Sequence, residues 1–422
     1  MYQKTTLRNG IRIIKVPNGN IETVTVMAIF TAGSRDEAAG TEGMAHFLEH
    51  MFFKGTDKRP RAADINKDLD RVGASSNAFT GKEYTGFWAK TEKKDLPLAL
   101  DVISDILLHS RFDSRELENE KGAVIEEINM YEDAPMRDIP AVLENMLYAG
   151  QSLGHDPLGT KENVRGFTRG NLLRFYRKHY TADRLVVAVS GNFHDGRIDQ
   201  AIARAFTGLA RAGRPLKRRR CAERQTGTQL TVKYKKTDQT NFSLGFRTFG
   251  EGHPDEYVLA VLDTILGGGS SSRLYELVRE QRGLAYYIYT YTETFQDAGY
   301  LAVQSGVGND KCEQALGLVL AELRRIKEEA VPAEEIERAK SCIKGRMAIG
   351  LESSSAMANF VTMQEIATGE VLTPAEKFAK INAVTAEQLQ RLAREIFTPE
   401  RLNLAVIGPF RSKKNFEKLL NI

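Results

Sequence analysis

The stretch Gly43-Met44-Ala45-His46-Phe47-Leu48-Glu49-His50-Met51-Phe52-Phe53 decides how this chain is read. On a helix, His46 and His50 stand one turn apart on a shared face, so two imidazoles can reach one metal ion while Glu49 stands beside them. That is the geometry of a zinc hydrolase. The competing reading, two histidines that merely pack or face solvent on an amphipathic helix, supplies no reason for a glutamate next to the second histidine.

A catalytic zinc takes three protein ligands and keeps a fourth position open for water. Candidates for the third ligand lie in Glu120-Lys121-Gly122-Ala123-Val124-Ile125-Glu126-Glu127-Ile128. Glu127 falls two turns after Glu120 and next to the apolar stripe Leu117, Val124, Ile128, whereas Glu126 is rotated by about 100°. Glu127 is therefore the expected ligand and Glu120 its supporting carboxylate. A solvated acidic helix face competes with this assignment, more strongly for Glu126 than for Glu127.

Around the motif, alternating apolar and polar residues flank Asn9-Gly10 and Asn18-Gly19, which is hairpin chemistry. Val24 to Phe30 reads as a buried strand leading into the motif helix. A helix is expected from about Ala62 to Val72, a strand from Tyr84 to Lys90, and helices from Leu96 to Leu108 and from Arg115 to about Tyr131.

The chain repeats itself. Thr168 to Phe193 and Thr385 to Phe410 align without a gap, with Arg184 matching Arg401 at an offset of 217 residues. Each copy reads as a helix running into a buried strand. The fold class expected is α+β, with two homologous domains from an internal duplication, each a mainly antiparallel sheet packed with helices. The boundaries expected are 1–210 for a zinc-binding domain, 211–228 for a linker and 229–422 for a domain without the zinc motif. The basic run from Arg211 to Arg220 is polar and lacks apolar periodicity, so it is read as solvated linker rather than a nucleic-acid or targeting patch. Gly267-Gly268-Gly269-Ser270-Ser271-Ser272 could cradle phosphate, but no Gly-Lys-Ser/Thr completes a phosphate loop.

Composition sets the remaining limits. The 422 residues exceed one typical core, and 59 Lys plus Arg against 55 Asp plus Glu leave a net charge of +4, too slight to argue for nucleic acid or a membrane surface. Cys221, Cys312 and Cys342 are far apart and odd in number, which suits free thiols in a reducing compartment. No leader-like or membrane-spanning apolar run is present, so a cytoplasmic location is the default expectation.

Taken together, His46-Phe47-Leu48-Glu49-His50-Met51-Phe52-Phe53-Lys54-Gly55-Thr56, Ser75 to Thr80, Glu120 to Glu127, and the Gly267 loop with Arg279 and Tyr286 resemble the pitrilysin (M16) family of zinc peptidases, whose H-x-x-E-H signature is termed inverzincin. The resemblance is to its shorter branch, which includes the mitochondrial processing peptidase beta subunit and bacterial relatives. It implies one Zn2+ per chain held by His46, His50 and Glu127, and Glu49 as general base. It further implies a strand around Ser76, Asn77, Ala78 and Phe79 that receives substrate backbone, with Arg279 and Tyr286 completing the site from the second domain.

The activity so implied is zinc-dependent endopeptidase cleavage of extended or unfolded peptides. The alternatives are a non-catalytic peptide-binding subunit and the zinc subunit of a heteromeric processing peptidase. Because only the first half carries zinc residues, a homodimer is the expected assembly, each site being completed in trans by Arg279 and Tyr286 of the other protomer.

Overall fold

The computed structural model describes residues 2–212 and 218–420. It forms two compact units, each an α+β layer structure around its own sheet.

The first unit contains the described residues within 1–129, 155–219 and 349–372. Its strands are β1 (Gln3–Thr6), β2 (Arg12–Pro17), β3 (Thr23–Phe30), β4 (Ser75–Thr80), β5 (Thr85–Glu92) and β6 (Leu185–Gly191). They lie in the order β1-β2-β6-β3-β5-β4, antiparallel except for the pair β2–β6. The Asn9-Gly10 turn joins a true hairpin, β1 to β2. Asn18-Gly19 does not, because β6 is inserted between β2 and β3 and pairs with both. β6 reads Leu-Val-Val-Ala-Val-Ser-Gly and is buried along its whole length. A strand so apolar finds two-sided cover only in the middle of the sheet, and that gain overrides a local turn preference.

β3 is nearly all apolar for the same reason: both of its faces are covered. Val24, Val26, Ala28 and Phe30 join Val187 and Val189 against Phe47, Leu48 and Phe52 of the helix Met44–Phe52 and Ile103 and Ile106 of the helix Leu96–His109. On the opposite face Met27, Ile29, Val186 and Ala188 meet Ala358 and Val361 of the helix Ser354–Ala367. Phe52 anchors the back of the motif helix within van der Waals reach of Phe87, Phe112, Tyr176 and Tyr180. Truncating such a ring costs about 3–5 kcal/mol.

The second unit contains the described residues within 130–154, 220–348 and 373–422. Its strands are β7 (Gln229–Tyr234), β8 (Gln239–Thr248), β9 (Ala285–Thr294), β10 (Gly299–Gly308) and β11 (Leu402–Gly408), in the order β7-β11-β8-β10-β9. Only β7–β11 is parallel. This reproduces β2-β6-β3-β5-β4 strand for strand, so the duplication extends over the whole sheet. Each copy also places a capped helix before its late strand, Arg169–His179 with a Thr168/Asn171 capping box and Ala386–Ile396 with Thr385/Gln388.

The expected division at a single linker keeps every helix with its own half of the sequence. In the structure, the helix Pro135–Leu147 packs Ile139, Leu143 and Leu147 against Ala302, Ala405 and Ile407 of the second sheet, while Ser354–Ala367 covers the first. The two exchanged helices hold equivalent places in the repeat.

Of the linker, residues 213–217 lie outside the described residues. Arg218 departs from the solvated reading: its guanidinium donates to Asp36 Oδ2 at 2.7 Å and to the carbonyl of Glu83 at 2.7 Å. Asp36 is almost fully buried, so the basic run contributes a charge to an interior ion cluster.

Candidate metal site of the first unit

The motif helix starts at Gly43, whose φ of +96° suits glycine and whose added Cβ would meet the carbonyl oxygen of Leu158 at 2.6 Å. From this helix His46 and His50 project on one face, with ring centroids 4.5 Å apart. The parallel source of carboxylates is the helix Ser114–Asp133, whose Leu117, Glu120, Val124 and Ile128 are buried. That stripe fixes its rotation and brings Glu127 to the imidazoles.

His46 Nε2 and His50 Nε2 are 3.2 Å apart, and Glu127 Oε2 lies 3.6 Å from the first and 3.5 Å from the second. Glu120 stands on the other side of His50, where its Oε1 accepts from Nδ1 at 2.7 Å, and its second oxygen pairs with Lys54. This arrangement assigns the His50 proton to Nδ1 and turns the Nε2 lone pair toward His46 and Glu127. Glu126 is directed elsewhere, accepting from Asn129 at 3.3 Å.

Burial drives the charges of the site. It pushes His46 down to about 3, helped by the neighbouring His50, so this ring is neutral at physiological pH. For His50 burial acts the same way but is outweighed by Glu120, and the net shift is upward. Burial acts upward on Glu120 and is outweighed by His50 and Lys54, which hold the carboxylate ionised. Glu49 is raised, mainly by burial and further by Glu127, against a hydrogen bond from the Thr80 hydroxyl to its Oε2.

These side chains suit a zinc ion. Metal–ligand lengths of about 2.0–2.1 Å place tetrahedral ligand atoms about 3.3 Å apart, and the three separations of 3.2, 3.5 and 3.6 Å bracket that value. Two converging imidazole lone pairs and a carboxylate at this spacing need a cation or a proton between them, and three ligands leave one position open. Among the described residues, His46, His50 and Glu127 form the group of His, Cys, Asp or Glu side chains with this property.

Ser76, Asn77, Ala78 and Phe79 lie on β4, which pairs only with β5 and forms an edge of the sheet. Ser76 and Asn77 are exposed, and Thr80 at the end of the same strand is the partner of Glu49. In the second unit, Arg279 lies in the helical turn Tyr275–Glu280, its guanidinium 4.8 Å from the ring centre of Tyr275 and 5.9 Å from that of Tyr286. Tyr286 is 76% exposed, unusual for so large an aromatic group. The structure thus pairs these two residues on the surface of their unit.

Sequence reasoning gave no role to Thr80 or Lys54. Lys54 had a weak signal, since it follows His50 by four residues, just past the end of the motif helix, and so stays near the histidines. Thr80 had none, because its proximity to Glu49 arises only when the edge strand packs against the motif helix.

Residues 12–161 match the family model described as insulinase (peptidase family M16), and residues 166–342 match that described as the peptidase M16 inactive domain. The chain is 36% identical to an uncharacterized zinc protease of Bacillus subtilis over 97% of its own length and 98% of that protein. The chain belongs to peptidase family M16. It has the short, two-domain form of that family. A second uncharacterized zinc protease, from Streptomyces coelicolor, is 36% identical over 98% of this chain and 90% of its own. The fold is similar to that of a protease from Helicobacter pylori, with a TM-score of 0.92 at 22% identity, covering 97% of this M16 chain and all of the other. Among the described residues no helix is long and apolar enough to cross a membrane.

Proposed function

We propose that this M16 chain is a zinc-dependent endopeptidase acting on extended or unfolded peptides. The observation that carries the reading is the convergence of His46 Nε2, His50 Nε2 and Glu127 Oε2 within a tetrahedral edge of one another, with a buried Glu49 beside them. His46, His50 and Glu127 would hold one zinc, which when bound supplies a Lewis acid that acidifies water toward pKa ~7.

Glu49 is the general base. Its raised pKa brings it closer to neutrality, where a carboxylate can take a proton from the attacking water and pass it to the leaving amine. The Thr80 hydroxyl occupies Oε2 of Glu49 and leaves Oε1 for that proton. Glu120 fixes the His50 tautomer. The open edge of β4 from Ser76 to Phe79 would bind substrate as an added strand, reading backbone more than side chains. Arg279 and Tyr286 would donate to the developing oxyanion, a contribution of up to about 3 kcal/mol per well-placed donor. In a homodimer they would come from the other protomer.

The test is incubation of purified chain with unstructured peptides and with a stably folded protein, each with and without a chelator. Chelator-sensitive cleavage of the peptides alone is expected, and Glu49→Gln should retain zinc while losing turnover. Absence of cleavage, or full activity of Glu49→Gln, refutes the proposal.

A further inference from the structure

The N-terminal end of the motif helix shows a second layer of control. Its N-cap is Gly43, so no side chain of its own caps the first turn. The cap comes from Glu37, six residues earlier, whose Oε2 accepts from the Gly43 amide at 3.0 Å and whose Oε1 accepts from the Ala45 amide at 2.7 Å. Ala45 immediately precedes His46 in the chain. The start of the helix is also closely packed, since a Cβ on Gly43 would meet the Leu158 carbonyl at 2.6 Å and Gly159 Cα at 2.9 Å.

We propose that Glu37 is a positioning residue for the metal site: by holding two first-turn amides it sets the height and rotation at which His46 and Glu49 stand. This rests on the zinc reading above for its catalytic consequence, though not for its structural one. Burial raises the pKa of this carboxyl well above the ordinary carboxylate range, and the Ala45 and Gly43 amides work against that rise by hydrogen-bonding its two oxygens. Only a two-oxygen acceptor serves both amides. In Glu37→Gln one oxygen is replaced by an NH2 group that meets an amide N–H, so one donor is left unpaired and the first turn must shift. Misplacement of a reacting group by about 1 Å costs about 100-fold in rate.

The experiment compares wild type, Glu37→Gln and Glu37→Asp. In the metal-free proteins, histidine-ring NMR signals of His46 should move in Glu37→Gln while those of exposed His194 stay in place. In cobalt-loaded protein the visible absorption bands should change shape. In the zinc enzyme kcat should fall about 10- to 100-fold with KM within about twofold. Glu37→Asp, which keeps both oxygens, should lie between the two. Unchanged His46 signals, cobalt spectrum and kcat in folded Glu37→Gln overturn the proposal, as does failure of both variants to fold, which makes Glu37 purely structural. A wild type that binds no metal and cleaves nothing refutes the zinc reading instead, and the metal-free NMR comparison still decides the role of Glu37.

Discussion

Glu120→Gln isolates the support given to His50. In the native protein Glu120 is almost fully buried and accepts from His50 Nδ1 at 2.7 Å while its other oxygen pairs with Lys54. Glutamine has nearly the same volume and keeps one acceptor oxygen, so cavity formation does not enter. What is lost is the negative charge that makes His50 a better electron donor through Nε2 and neutralises Lys54. Loss of such a partner typically weakens metal affinity or activity 10- to 100-fold, or about 1.4–2.7 kcal/mol. Lys54→Met should weaken affinity less, because it leaves the His50–Glu120 bond in place. Competition with a chromophoric chelator measures the zinc affinity of each variant. Glu118→Gln is the control, since Glu118 is exposed on the same helix and pairs with Lys121. A Glu120→Gln affinity within about twofold of wild type refutes the argument that this carboxylate tunes His50.

Glu127→Gln should lose zinc and activity together while Glu126→Gln keeps both, as checked by metal analysis and peptide cleavage; retained zinc with full activity in Glu127→Gln moves the third ligand elsewhere. Mixing Glu49→Gln with Tyr286→Phe chains should restore activity once subunits exchange, because one site of each heterodimer then carries no defect; an exchanged but inactive mixture refutes action in trans. Burial lowers His179 from 6.5 to about 4, so the unfolded chain binds a proton there more readily than the folded one. Stability from this group is therefore present above pH ~6.5 and is lost as pH falls toward ~4, at about 1.4 kcal/mol per pH unit. Urea unfolding followed across this range should show a shallower acid limb in His179→Gln, and an unchanged limb contradicts the assignment.

The grouping of His46, His50 and Glu127 was legible because its parts are local: two histidines and a glutamate within one helix, and Glu120 and Glu127 at helical spacing on another. Periodicity alone separated Glu127 from Glu126, since the buried Leu117, Val124 and Ile128 fix the rotation. What escaped the sequence depends on distant segments. Asn18-Gly19 has turn chemistry, but β6, arriving more than 150 residues later, takes both neighbouring strands. Arg218 sits in a run that looks solvated, and only the fold reveals Asp36 and Glu83 waiting for it. An amphipathic pattern shows that the helices Pro135–Leu147 and Ser354–Ala367 bury one face without showing which sheet covers it. Glu37 was invisible for a similar reason: capping normally falls to the residue at the helix start, and here a glycine holds that place.

The duplication gives the candidate metal site a counterpart in the second unit with a different charge balance. In the second unit the helix Glu256–Gly267 packs against β9 as the motif helix packs against β4. Where the Thr80 hydroxyl donates to the Glu49 carboxylate, the Thr290 hydroxyl of β9 donates to the main-chain carbonyl of Asp263 at 2.8 Å, beside a carboxyl that burial pushes up to about 6. The third element has changed sign. The helix Ser114–Asp133 presents Glu127, whose charge raises Glu49 further, whereas its counterpart Ala333–Gly350 presents Arg346, whose charge pulls Asp263 down. In the first unit two lone pairs and a carboxylate converge and need a cation to balance them. In the second, the Arg346 guanidinium already supplies positive charge near the buried carboxyl. A bound divalent ion there would meet Arg346 as a repulsive neighbour, so the duplicated scaffold keeps its layers and its strand order while its second copy carries a charge balance that disfavours a cation.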